Sequence, residues 1–103
     1  MVRSLAEVDR VGVVGAGTMG AGIAQVLATA GYEVALRDVD RDLVQNGFDS
    51  IESSLERLAD RGAIPAEDVD EIAARVVGTT DLEDLAPCDL VIEAIVEDLE
   101  IKQ

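Results

Sequence analysis

The segment "VGVVGAGTMGAGIA", residues 11–24, places five glycines in fourteen positions at the end of a valine-rich run. Glycine weakens strands and helices alike, so such a cluster belongs where the chain turns sharply or approaches something closely. "RVGVVG" (10–15) reads as a short strand buried on both faces. Met19, Ile23, Val26, Leu27 and Ala30 then recur at helical spacing, which predicts a helix over 18–30 with Gly31 at its C-cap. The glycines fall on the turn between the two.

The alternation continues along the chain. "EVALRD" (33–38) is a second strand. From Asp40 or Arg41, the positions Leu43, Val44, Gly47, Phe48, Ile51, Leu55 and Leu58 predict a long amphipathic helix stopped by Gly62. Pro65 fits the first turn of a shorter helix carrying Val69, Ile72 and Ala73. "RVVGTT" (75–80) and "DLVIEAI" (89–95) read as third and fourth strands, and "EDLEIKQ" as the opening of a further helix. Strands alternating with helices predict an α/β fold with a parallel sheet. A chain that stops about a turn into a helix is expected to be the front part of a longer protein.

Within that frame the glycines form Gly15-x-Gly17-x-x-Gly20, with Asp38 at the end of the next strand, eighteen residues beyond Gly20. Such a turn also occurs for structural reasons alone. With the strand before it, the helix after it and the acid in place, it matches a dinucleotide-binding arrangement. Gly15 allows the tight turn, Gly17 has no side chain to hold a pyrophosphate off the backbone, and Gly20 lets helix and strand approach closely. The helix N-terminus offers free N–H groups and partial positive charge to phosphates. Asp38 is placed to accept hydrogen bonds from the adenosine ribose and to repel a 2′-phosphate, which favours NAD over NADP. Arg37 is expected on the opposite face of the strand, away from the cofactor. Of the other glycines, Gly12 lies in the strand and Gly22 is assigned to close helix packing.

"VGVVGAGTMGAGIAQVLATAGYEVALRDVD" together with "DLVIEAIVEDLEIKQ" resembles the N-terminal NAD-binding domain of the 3-hydroxyacyl-CoA dehydrogenases, including the 3-hydroxybutyryl-CoA dehydrogenases. The resemblance runs almost end to end. It implies a Rossmann-type parallel sheet flanked by helices and truncated before completion. Residues 1–103 would be the NAD-binding part, with a C-terminal substrate and dimerisation domain absent from the chain and the parent a homodimer. It also implies that Gly15, Ala16, Gly17, Thr18, Met19, Gly20 and Asp38 hold NAD. Glu97 and Lys102 would lie near the nicotinamide end, and Ser54 and Arg61 on the long helix would contribute to an acyl-CoA site. Ordinary surface roles remain open for these last four: solvated helix positions, a first-turn acid favoured by the helix dipole, a surface charge.

Oxidising a secondary alcohol needs a base for the hydroxyl proton while hydride leaves for NAD. The resemblance implies a histidine paired with a glutamate, both downstream; this chain contains no histidine. Glu93 is assigned to the wall of the cofactor cleft rather than to catalysis. The chain is therefore expected to be the cofactor-binding portion of a dehydrogenase acting on 3-hydroxyacyl-CoA in fatty-acid metabolism. A free-standing dinucleotide-binding module or redox sensor, or a non-binding remnant, stays open as an alternative.

Charge sets the remaining bounds. Asp and Glu total 22 against 8 basic residues, of which only Lys102 is a lysine, for a net charge of −14. That excludes nucleic acid and anionic membrane as natural partners. No apolar run approaches a membrane span, the opening "MVRSLAEVDR" is no secretory signal, and Cys88 is alone. A cytoplasmic setting is the resulting expectation. The acids are spread among apolar positions, as in a folded domain with an acidic skin rather than a disordered tail. An ordinary acidic cytosolic protein is one account of that skin; the scarcity of lysine favours a halophilic one. At low ionic strength the acids repel one another, and molar salt shortens the Debye length to about 3 Å. The melting temperature is expected to climb steeply from tenth-molar to multimolar KCl, and a salt-independent melting curve would refute the high-salt reading.

Overall fold

The alternation of valines in the first strand decides the layering. β1 (Arg10–Val14) lies between β2 (Glu33–Arg37) and β4 (Leu90–Glu93), and β3 (Val76–Thr79) extends the sheet beyond β2. All three pairings are parallel. The computed structural model describes residues 8–94 of the chain. In register, Val11 stands opposite Val34, Val13 opposite Leu36, and Val34 opposite Val76. These side chains share one face, and each is at most 5% exposed. Against that face pack α1 (Thr18–Thr29), α2 (Arg41–Asp60) and α3 (Asp68–Ala74). No helix among the described residues is long and apolar enough to cross a membrane.

Leu36, Ile51 and Leu55 are the largest fully buried side chains. Fully burying such a side chain contributes roughly 1.5–3 kcal/mol. The predicted apolar stripe of α2 is largely the observed one, with Val44, Gly47, Ile51 and Leu55 buried. For α1 the outcome differs. The large residues Met19 and Val26 are 53% and 69% exposed, and Ile23 and Leu27 only flank the core. The buried stripe consists instead of Gly20, Ala21, Ala24 and Ala28. The helix lies too close to the sheet for larger side chains, so its larger residues take the outer faces.

Both long helices end in the same way. The Gly31 N–H donates to Ala28 O and the Tyr32 N–H to Leu27 O, a Schellman turn that Gly62 and Ala63 repeat on Ala59 and Leu58. Pro65 is not in the first turn of α3. It opens a separate turn, its carbonyl accepting from the Asp68 N–H at 3.0 Å, and the helix starts only at Asp68. Between β3 and β4 the chain makes a 3₁₀ turn, Leu82–Leu85, which the sequence pattern does not announce. Its Leu85 covers Gly12 on the second face of the sheet, where a Cβ on Gly12 would stand 2.9 Å from Leu85 Cδ2. The candidate helix over 97–103 lies outside the described residues.

Two glycines of α1 are sharply unequal. A Cβ at Gly20 would collide with the backbone carbonyl oxygen of Gly15, whereas one at Gly22 would meet no atom within 4 Å. Gly22 is exposed and serves no close packing, contrary to expectation. Gly20→Ala is therefore expected to cost about 3 kcal/mol, the upper end of the overpacking range, because no rotamer change moves a backbone carbonyl. Melting should fall by more than about 10 °C in a domain of this size. Gly22→Ala should be neutral or stabilise by about 1 kcal/mol through helix propensity alone. Thermal melts of the two variants check the contrast.

Candidate functional site: a cleft at the ends of the strands

The sheet order reverses between β1 and β4: β2 and β3 were laid down on one side of β1, β4 on the other. In open parallel sheets a crevice forms at such a point, outside the carboxyl ends of the strands. Here it is a cleft of about 480 Å³. Val14 and Gly15 line it from the end of β1, Arg37, Asp38 and Val39 from the end of β2, Ala94 from beyond β4, and Gly17, Thr18 and Met19 from the start of α1. A groove of about 520 Å³ runs across Ala35 and Val77 on the second face of the sheet, but it does not touch the glycine loop. Two arginines at its border already have partners: Arg10 with Glu33, and Arg75 with Glu71 and the Ala28 carbonyl. Size alone does not locate the site.

Each loop residue has a distinct place. Gly15 has φ +107°, a conformation that side chains other than glycine's rarely adopt, and its N–H donates to the Arg37 carbonyl at 2.7 Å. Ala16 points inward: its side chain is 3% exposed and belongs to the core. Its N–H donates to Oδ2 of Asp38 at 2.8 Å, and the Val39 N–H donates to Oδ1 at 2.7 Å. Gly17 is the N-cap of α1, where no side chain caps the helix and no acid stands in the first turn. The leading N–H groups of such a helix have no intrahelical acceptors. By contrast, α2 is capped by Asp40, which accepts from the Asp42 N–H at 2.7 Å.

Gly15, Gly17, Thr18, Met19 and Asp38 are thus brought together on the cleft. Ala16 and Gly20 stand behind it, where they set the path of the loop. Ser54 on α2 and Arg61 at its C-terminal cap line neither the cleft nor the groove, Ser54 half-buried and Arg61 exposed. Glu97 and Lys102 lie outside the described residues. Glu93 is exposed and absent from the wall of the cleft, which Ala94 supplies.

Arg37 corrects the expectation that strand alternation would turn it away. It lines the same cleft as Asp38, its Nε–H donating to the Thr80 carbonyl at 3.2 Å. Alternation governs only the ladder, and Asp38 lies one residue past it. Gly47 was legible as an apolar position but not as part of the site's foundation. A Cβ there would stand 2.7 Å from the Ala16 carbonyl oxygen, so α2 backs directly onto the loop. Cys88 is half-buried, and burial pushes its thiol above the usual range against the opposing pull of Arg10. That is the setting of a packing residue rather than a nucleophile.

The family model for the 3-hydroxyacyl-CoA dehydrogenase NAD-binding domain matches residues 10–103. The chain belongs to that family. It is 43% identical over 98 residues to a 3-hydroxybutyryl-CoA dehydrogenase of Bradyrhizobium diazoefficiens, a match covering 95% of this chain and 33% of the relative. With a 3-hydroxyadipyl-CoA dehydrogenase of Escherichia coli it shares 41% identity over 94% of its length and 20% of the relative's. The crystal structure of (S)-3-hydroxybutyryl-CoA dehydrogenase from Ralstonia eutropha superposes with a TM-score of 0.85 at 41% identity, covering 93% of this chain and 34% of that one. The chain therefore spans about a third of the first of these relatives and of the crystal structure, and it corresponds to the family's NAD-binding part.

The cofactor of this domain is NAD, and the cleft suits it on this chain's own geometry. A methyl group at Gly17 would meet no atom within 4 Å beyond its own chain neighbours. Packing does not require that glycine, and its open side belongs to the cleft, beside the uncapped start of a helix.

Proposed function

We propose that this chain is the NAD-holding portion of a dehydrogenase that oxidises 3-hydroxyacyl-CoA to 3-oxoacyl-CoA, with the catalytic base supplied by a second domain of a longer protein. The observation that carries the cofactor part is the open face of Gly17. With no side chain in the way, the cofactor's diphosphate can lie against the backbone at the head of α1, where helix N–H groups and the dipole favour negative charge. Asp38 faces the adenosine end. Its two oxygens each accept one backbone N–H, and each retains a lone pair for a ribose hydroxyl. A 2′-phosphate would meet that carboxylate at close range. Arg37 stands in the same wall with its Nε–H on the Thr80 carbonyl. The preference for NAD rests on the Asp38 carboxylate.

Bound NAD supplies the hydride acceptor. The chain's own residues hold and orient it, and none of those on the cleft is placed as a base: Asp38 is engaged with two amides, and no histidine exists. Ser54 and Arg61 remain candidates for acyl-CoA contact on the outside of α2, which a charge-reversed Arg61→Glu in the longer protein would test through KM.

Two outcomes check this reading. Calorimetric titration should show NAD binding more tightly than NADP, and Gly17→Val should abolish NAD binding while far-UV circular dichroism stays unchanged, since φ −69° at this position suits any residue. Equal affinity for the two cofactors, or full binding by Gly17→Val, overturns the site assignment. Residues 1–103 alone are further expected to produce no NADH from 3-hydroxybutyryl-CoA, because general-base assistance is commonly worth about 10²–10⁴-fold and positioning adds to it. A longer protein from the same gene should restore turnover; turnover by the short chain would overturn the division of labour.

A further inference from the structure

Resting on the reading of the cleft as the NAD site, we propose that Asp38 also acts as a positioning residue: its carboxylate holds the glycine loop in shape for the diphosphate, whether or not it touches ribose. The bonds that carry this are those from the Ala16 N–H to Oδ2, at 2.8 Å, and from the Val39 N–H to Oδ1, at 2.7 Å. One side chain thereby ties the turn after β1 to the turn after β2. The preceding amide is tied to the same strand end, Gly15 N–H to Arg37 O at 2.7 Å. The next amides in the chain belong to Gly17, Thr18 and Met19, three residues that line the cleft.

The tether acts on a residue that is already held from other sides. Ala16 is buried to 3% exposure, and its carbonyl oxygen occupies the space that a side chain on Gly47 would need. The weak points are its neighbours. Gly15 and Gly17 have the widest backbone freedom of any residue, and an untethered loop would give up that freedom only when phosphate arrives. A bond from a backbone N–H to a carboxylate is of the stronger, charge-assisted kind. Holding the loop beforehand removes an ordering cost from binding.

The two effects of Asp38 on a phosphate ligand have opposite signs. Through space, its negative charge repels phosphate, so deleting it would tighten a ligand that makes no ribose contact. Through the loop, deleting it weakens that same ligand. ADP and 2′,3′-dideoxy-ADP, which lacks both ribose hydroxyls, separate these effects when titrated calorimetrically at one fixed salt concentration, alongside NAD.

Asp38→Ala is expected to weaken dideoxy-ADP by about tenfold, the order of one hydrogen bond to a charged group. Asp38→Asn keeps one acceptor oxygen, which can serve the Ala16 N–H but not the Val39 N–H as well, so it should recover part of the dideoxy-ADP affinity lost by Asp38→Ala, while ADP stays weaker for want of the charged ribose acceptor. Amide hydrogen exchange should show Ala16 protected in the unmutated chain and the Asn variant but not in the Ala variant, with Val13 protected in all three as the mark of an intact fold. Unchanged or tighter dideoxy-ADP binding by Asp38→Ala, or Ala16 protection that survives it, overturns the proposal. If the unmutated chain binds neither NAD nor ADP, the cofactor reading fails, and exchange at Ala16 then decides the tether by itself.

Discussion

The backbone of Gly20 lies against the carbonyl of Gly15 with no space between them for a methyl group. That contact brings the first turn of α1 onto the end of β1, and the cleft at the strand ends follows from it. A helix this close to the sheet carries only small residues on its inner stripe. It also starts immediately after the turn, so its leading amides open into the crevice where the strand order reverses. The Asp38 carboxylate and the bare backbone of Gly47 hold the turn from two further directions. The shape of the turn at the cleft is thus a product of packing before it is a feature of any side chain.

The core answers the acid-rich composition in a simple way. No charged or polar residue is buried among the described residues, and the interior is a set of valines, leucines, isoleucines and alanines. The acids lie outside, several of them in local structural work: Asp40 caps α2 and Asp81 caps the 3₁₀ turn. Fold and surface charge are therefore nearly independent, and the acidic skin says nothing about what the cleft binds.

Legibility in the sequence followed how local the governing physics was. The strands, the α2 stripe and the glycine loop were readable because each rests on spacing along a few residues. The face of α1 was not, because its choice depends on a distance to the sheet that only Gly20 sets. Arg37 departs from the alternation for a related reason: strand alternation stops being a guide where the strand ends, and Asp38 lies just beyond that point. Gly47 belongs to the site's foundation through a contact between residues 31 positions apart, Ala16 and Gly47, which no periodicity reveals. Pro65 fits a helix start equally well as the turn it opens, and only the observed hydrogen bonds separate the two.

The small-residue stripe of α1 has a consequence for how this domain can drift. Gly20, Ala21, Ala24 and Ala28 offer almost no volume to lose, so the usual route by which cores soften, a large side chain shrinking to leave a void, is closed along this helix. Apart from the loss of a single methyl from an alanine, change there adds atoms, and every addition pushes the helix outward and the turn with it. The exposed rim of the cleft, at Met19 and Val39, is under no such restriction. Variation in what the cleft accepts is therefore channelled to the rim, while the floor stays much as it is.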